Sequence, residues 1–163
     1  SMDSSYAQAP GLWIRDGERF GFVDTTDPDR SAIVESNAWL TRPRHDRAAV
    51  FADLDRDGDV DVVVAERNGA VRVLENRHDH EDDWIVVQPV PALGAEVTLR
   101  TGSGSMRRWI RGGGPFQSNV APEAHFGLGP IGQGPFEVSV RWPDGASVDL
   151  EVEAGRRVRV ERP

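Results

Sequence analysis

Apolar and polar residues alternate in short runs along most of the chain, and Gly, Pro, Asn-Gly or Asp-Gly interrupts each run before it reaches helical length. EVTLR at 96–100, SMRRWIR at 105–111, EVSVRWP at 137–143, SVDLEVE at 147–153 and RRVRVE at 156–161 follow a period of two, which gives each strand one buried and one wet face. Upstream, LWIRDGERFGFVD from Leu12 to Asp24 predicts a hairpin turning at Asp16-Gly17, with Trp13, Phe20 and Phe22 available to one face. From Ala48 to Asn76 the pattern predicts strand, acidic loop, strand, Asn68-Gly69 turn and strand. Asp144-Gly145 predicts another hairpin turn, and Pro143 ends the strand before it by removing a backbone donor. Residues 25–47, with Asp27-Pro28 and Arg42-Pro43, read as a long loop with a short helical turn near Asn37. No window carries a sustained 3.6-residue apolar period. The expectation is an all-β fold in which hairpins bearing the loop pack on a small antiparallel β-sandwich or barrel, with Trp109 and Trp142 in its core.

The acidic loop, FADLDRDGDVDVVVA, places Asp53, Asp55, Asp57, Asp59 and Asp61 at every second position around Gly58. Carboxylates so crowded repel one another, whereas Ca²⁺ collects six to eight oxygens at about 2.3–2.6 Å and turns the repulsion into coordination. In this spacing Asp53, Asp55 and Asp57 serve as side-chain ligands, Asp59 offers its carbonyl, and Asp61 closes the site directly or through water. Gly58 falls where the chain must reverse sharply. An EF-hand would need Glu at the twelfth position from Asp53, which here is Val64, and flanking helices where this chain has β-branched residues. The competing reading is a solvated acidic hairpin turn, which has no need of such regular spacing.

At 163 residues the chain is long enough to bury a core. Its net charge of −8 disfavours nucleic acid and anionic membrane surfaces. Cysteine is absent, which excludes disulfides, thiolate metal sites and a Cys nucleophile. No apolar stretch approaches a membrane span, and the start lacks a signal-peptide pattern. Residues 1–10, opening Ser1-Met2, read as a tag remnant and disordered start, so earlier segments of a longer protein are compatible with the sequence.

FADLDRDGDVDVVVA followed by NGAVRVLENR resembles an FG-GAP or VCBS repeat, the calcium-binding blade unit of integrin-type β-propellers. Downstream, GAEVTLR, RWIRGGGPFQSNVAPEAHFGLG and VSVRWPDGASVDLEV resemble the ASPIC and UnbV domain, which follows VCBS repeats in the cartilage acidic protein and UnbV family. The resemblance implies a propeller-blade-like segment at 11–78 and an ASPIC/UnbV-like β module at 79–163. It also implies an extracellular or cell-surface setting and further propeller blades upstream in a longer chain. One complete acidic motif is too few for a closed propeller.

Other candidate chemistry is sparser. RHDHEDD, Arg77 to Asp83, offers two His and four carboxylates that could hold Zn²⁺ or a second Ca²⁺, but His78 and His80 lack a third His nearby, and a solvated linker is favoured. His125, between Ala124 and Phe126, reads as a structural histidine hydrogen bonded within its sheet. His45 with Asp46 could pair as acid and base, and Ser103, Ser105 and Ser118 offer hydroxyls outside any nucleophile motif. The favoured function is therefore a non-catalytic, calcium-stapled β module that binds a protein, a glycan or a small metabolite through its loops. The alternative is an enzyme or ligand-binding protein of bacterial specialised metabolism, which the UnbV resemblance implies, with His45, Asp46 and His125 as its candidates.

Overall fold

The computed structural model describes residues 45–76, 84–102, 104–114, 117–129 and 134–163, together with the backbone of 12–16 and 19–23. All regular structure among these residues is β, with no helix. The expected helical turn near Asn37, the 1–10 start and the RHDHEDD run at 77–83 lie outside them. The chain divides into two compact units, Ser1–Arg47 with Val64–Val71, and Ala48–Val63 with Arg72–Pro163.

In the first unit, β1 (Leu12–Asp16) and β2 (Arg19–Val23) form the expected antiparallel hairpin, with Trp13 opposite Phe22 and Asp16 opposite Arg19. Asn68 adopts a left-handed φ of 58°, and the Gly69 N–H reaches the Glu66 carbonyl at 3.3 Å, forming the turn that Asn-Gly predicts. This turn joins β4 (Asp61–Glu66) to β5 (Val71–Leu74), and with β3 (Asp46–Ala52) they make a three-stranded sheet ordered β3-β4-β5, of which residues 48–52, 61–63 and 72–74 belong to the second unit. The aspartate loop connects β3 to β4.

The second unit holds two sheets face to face. One is ordered β11-β10-β7-β8, from β7 (Glu96–Thr101), β8 (Gly104–Trp109), β10 (Phe136–Arg141) and β11 (Ser147–Val152). Its neighbours are antiparallel throughout. The other is ordered β12-β6-β9, from β6 (Trp84–Val90), β9 (Ala124–Gly127) and β12 (Arg156–Glu161). Alternation sends Val97, Leu99, Val138 and Val140 of the first sheet, and Ile85, Val87, Phe126 and Val160 of the second, into one buried cluster. This is a sandwich, not a closed barrel, and it is mixed: β12 runs parallel to β6, while β6 and β9 are antiparallel.

The two tryptophans expected in the core part company. Trp142 is 3% exposed and donates its indole N–H to the Pro91 carbonyl at 2.7 Å. Trp109 is 52% exposed, opposite Glu96 on the outer face of the four-stranded sheet, with the Arg107 guanidinium 5.7 Å from its ring centroid. The alternation in SMRRWIR sends Met106 inward and Arg107 and Trp109 outward, so Trp109 forms a stacking partner for an arginine on the outer face.

β6 shows why the second sheet matters for the loop. Ile85 and Val87 face the core, yet Trp84 and Val86, pointing the other way, are buried too, at 9% and 0% exposure. A strand buried on both faces reads as a continuous apolar run, which WIVV is. The aspartate loop covers that second face.

Candidate metal centre

The loop starts where β3 gives way to Asp53 and ends where Asp61 opens β4. Within it Arg56 and Gly58 both take left-handed φ values, 69° and 99°, which curl the backbone. Two side chains stitch the curl: the Asp57 N–H donates to Asp55 Oδ1 at 3.4 Å and the Asp59 N–H to Asp57 Oδ1 at 2.8 Å. Asp53, Asp55 and Asp57 thereby bring one carboxylate oxygen each within 4.8 Å of the others. Two oxygens sharing one Ca²⁺ lie at most about 5 Å apart, so this spacing suits a common cation.

The three carboxylates differ in setting. Asp55 and Asp57 are exposed, whereas the Asp53 side chain is 0% exposed. Asp53 Oδ2 accepts a hydrogen bond from Arg157 Nη2 at 2.7 Å, but Asp53 Oδ1 is buried with no hydrogen-bond partner. A buried carboxylate oxygen without a donor is costly, and a cation shared with Asp55 and Asp57 would satisfy it. The Asp55 carboxyl sits above the ordinary carboxylate range, first through desolvation and then through the charges of Asp57 and Asp61, against a lowering hydrogen bond from the Asp57 backbone. A bound cation would relieve the same charges.

Asp59 and Asp61 stand apart from the three clustered carboxylates. Asp61 is 2% exposed, and its two oxygens accept backbone N–H groups from Leu54 and from Asn76, each at 2.9 Å. It ties the start of the loop and the end of β5 to the base of β4. The Asp59 backbone N–H belongs to the Asp57 turn described above.

Three residues far along the chain seat the loop on the three-stranded sheet. The pairing of β12, β6 and β9 sets Arg157, Val86 and His125 in one row across it. Arg157 grips Asp53 with one arm of its guanidinium and Glu123 with the other, and Glu123 also accepts Gln88 Nε2 at 2.9 Å. His125 Nε2 donates to the Gly58 carbonyl at 2.7 Å, so this histidine bonds to the loop and not within its sheet as expected. The Trp84 indole lies against Gly58 so closely that a Cβ there would fall far below the 3.0 Å that such contacts respect. Sequence reasoning missed Arg157, Glu123 and Trp84. The doubly buried WIVV run was the one signal that something covers this face.

His45 and Asp46 lie at the start of β3, where the His45 carbonyl accepts the Arg67 N–H at 2.8 Å. Ser105, on β8, is opposite Arg100; Ser118 is described and Ser103 is not. On the outer face of the other sheet, Glu96, Thr98, Arg100, Arg107, Ser139 and Arg141 line a polar cavity of about 470 Å³. Glu96 lies 3.2 Å from Arg141 and 3.6 Å from Arg107, and Glu137 lies 2.6 Å from Arg100.

Residues 88–163 match the ASPIC and UnbV family, which places the β6–β12 sandwich within that match almost entire. Cartilage acidic protein 1 of Homo sapiens is 33% identical over 115 residues, covering 65% of this chain and 17% of that protein. Cartilage acidic protein 1 of Xenopus tropicalis is 32% identical over 146 residues, covering 84% of this chain and 22% of that protein. The chain thus spans about a fifth of these relatives' length. The similarity to the ASPIC and UnbV family thus lies within this β module, at residues 88–163.

Proposed function

We propose that the loop from Asp53 to Asp61 is a calcium site of FG-GAP/VCBS type, and that the ion is a structural staple for a non-catalytic ASPIC/UnbV module. One observation carries this reading: Asp53 Oδ1 is buried, unpartnered, and part of a carboxylate trio spaced for one cation. Asp53, Asp55 and Asp57 would hold the ion. Bound there, a divalent cation supplies charge neutralisation and a fixed loop geometry. Calcium is favoured over magnesium because the donors are carboxylates on a curled loop, and Ca²⁺ accepts flexible, higher coordination whereas Mg²⁺ demands near-ideal octahedra.

The polar, mixed-charge outer face of β11-β10-β7-β8 supports a binding surface for a polar partner, a protein or a glycan, more than a closed pocket for catalysis. Phe51, Val71 and Val73, exposed on β3 and β5, fit a sheet that meets further blades in a longer chain.

The test is thermal unfolding of metal-stripped protein across a Ca²⁺ titration, with Mg²⁺ as control. A ligand that binds only the folded state adds about 2.7 kcal/mol at one hundred times its dissociation constant. A calcium-selective rise in Tm that an Asp55→Ala, Asp57→Ala variant loses is the expected result. No rise in the parent protein leaves the loop a solvated turn and removes the proposal.

A further inference from the structure

Arg157, partly buried on β12, bridges the loop and the sandwich. Its planar guanidinium presents donors in a rigid fork. One arm holds Asp53 Oδ2 at 2.7 Å and the other holds Glu123, which Gln88 of β6 anchors in turn. The Asp53 side chain is 0% exposed and that of Glu123 is 10% exposed, so these contacts are largely removed from solvent. With Oδ2 fixed on Arg157, Asp53 Oδ1 has a single orientation, and it is this oxygen that lacks a partner. Among the described residues, the side-chain hydrogen bonds of Asp55 and Asp57 stay within the loop. Arg157 also stands in the cross-sheet row with Val86 and His125, and His125 holds the Gly58 carbonyl.

We propose, resting on the calcium reading above, that Arg157 is the positioning residue of the cation site: it aims Asp53 at the ion and ties ion occupancy to the stability of the sandwich. Groups that orient a metal ligand without touching the metal typically change affinity about 10–100-fold when removed. Arg157 fills that place from the last strand of the chain, about a hundred residues beyond the ligand it directs. The ion then holds the sandwich's outer face as well as its own loop.

The experiment uses the full chain, with Tb³⁺ as a luminescent stand-in for Ca²⁺ and excitation through Trp84, whose indole lies on the loop. Parent protein, Arg157→Met, Arg157→Lys and Glu123→Gln are compared under conditions where circular dichroism shows each folded. Arg157→Met is expected to weaken Tb³⁺ binding about 10–100-fold. It should also add inner-sphere water, read from decay rates in H₂O and D₂O, because Asp53 no longer holds its position. Arg157→Lys keeps the charge without the fork and should restore affinity only in part. Glu123→Gln removes the outer anchor, leaves every loop carboxylate intact, and should shift affinity in the same direction. Calcium should slow amide exchange on β6 and β12 in the parent and not in Arg157→Met. Unchanged affinity and hydration in Arg157→Met and Glu123→Gln would overturn the positioning role while Tb³⁺ still bound. A parent chain that binds neither Tb³⁺ nor Ca²⁺ would instead overturn the calcium reading itself, and this inference with it.

Discussion

Gly58→Ala tests whether the loop is seated on the sheet or merely lies near it. Gly58 has φ +99°, and a Cβ there would meet Nε1, Cδ1 and Cε2 of Trp84, atoms of a rigid ring that is 9% exposed and has little room to retreat. The left-handed backbone costs an L-residue roughly 1–2 kcal/mol. Forcing a methyl into packed space typically costs about 1–3 kcal/mol more. A total of about 2–5 kcal/mol corresponds to a Tm loss of roughly 4–20 °C for a chain of this size, at about 2–4 °C per kcal/mol. The assay is metal-free thermal unfolding followed by Trp fluorescence. A double-mutant cycle with Trp84→Leu separates the two costs, since the smaller side chain relieves the clash and leaves the backbone term. The expected interaction energy is about 1–3 kcal/mol, because the clash is counted in one single variant and absent from the double. Additivity within about 0.5 kcal/mol would refute the contact, and with it the view that the loop covers β6.

Asp61→Asn should destabilise the metal-free protein by about 1–3 kcal/mol, because an amide can present only one acceptor to the Leu54 and Asn76 N–H groups; Asp57→Asn should cost much less in EDTA, and comparing their denaturant midpoints checks the division of labour. Asp55 has a raised folded-state pKa, so its contribution is fully favourable below its unfolded pKa and is lost as pH rises through the higher folded value. Asp55→Asn should therefore raise the metal-free Tm near neutral pH, lose that advantage in acid, and weaken Ca²⁺ binding, all readable from Tm against pH with and without calcium. Leu99→Ala, at 0% exposure in the sandwich cluster, should cost about 2–5 kcal/mol and shift the Trp142 emission transition in parallel.

Strand existence was legible wherever one face is wet. All five alternating runs of the second half became β7, β8, β10, β11 and β12, because a period of two states which side is buried. Asn68 and Gly145, in left-handed backbone at their turns, were equally readable from Asn-Gly and Asp-Gly. Strand direction was not: alternation is the same for parallel and antiparallel neighbours, so the parallel pairing of β12 with β6 left no mark in RRVRVE. Trp109 shows a related limit, since an aromatic at an outward position looks like core until a register is known. The site followed the same division. The carboxylate trio was visible because its members are close in sequence, whereas Arg157 lies 104 residues from Asp53 and looked like any outward arginine on a half-exposed strand.

The five aspartates look equivalent in sequence, yet the fold gives them different duties, and that difference separates a cation site from a solvated turn. From Asp53 to Asp61 the segment carries five Asp and one Arg, −5 and +1, or −4 in all. Density of charge alone favours neither reading, since exposed carboxylates such as Asp55 and Asp57 are well served by water. Asp61 has a backbone N–H on each oxygen, so both of its carboxylate oxygens already have a hydrogen-bond partner. Asp53 is withdrawn from solvent as Asp61 is, but half of its carboxylate is neutralised by Arg157 while the other half is left without a hydrogen-bond partner. In a metal-free chain that oxygen is a defect of about 1–3 kcal/mol. A cation at the trio would remove the defect and the mutual repulsion of Asp55 and Asp57 together, so both would favour the same proposed bound state. The pattern D-x-D-x-D-G therefore draws its meaning here from its first member, the one the sandwich has taken hold of.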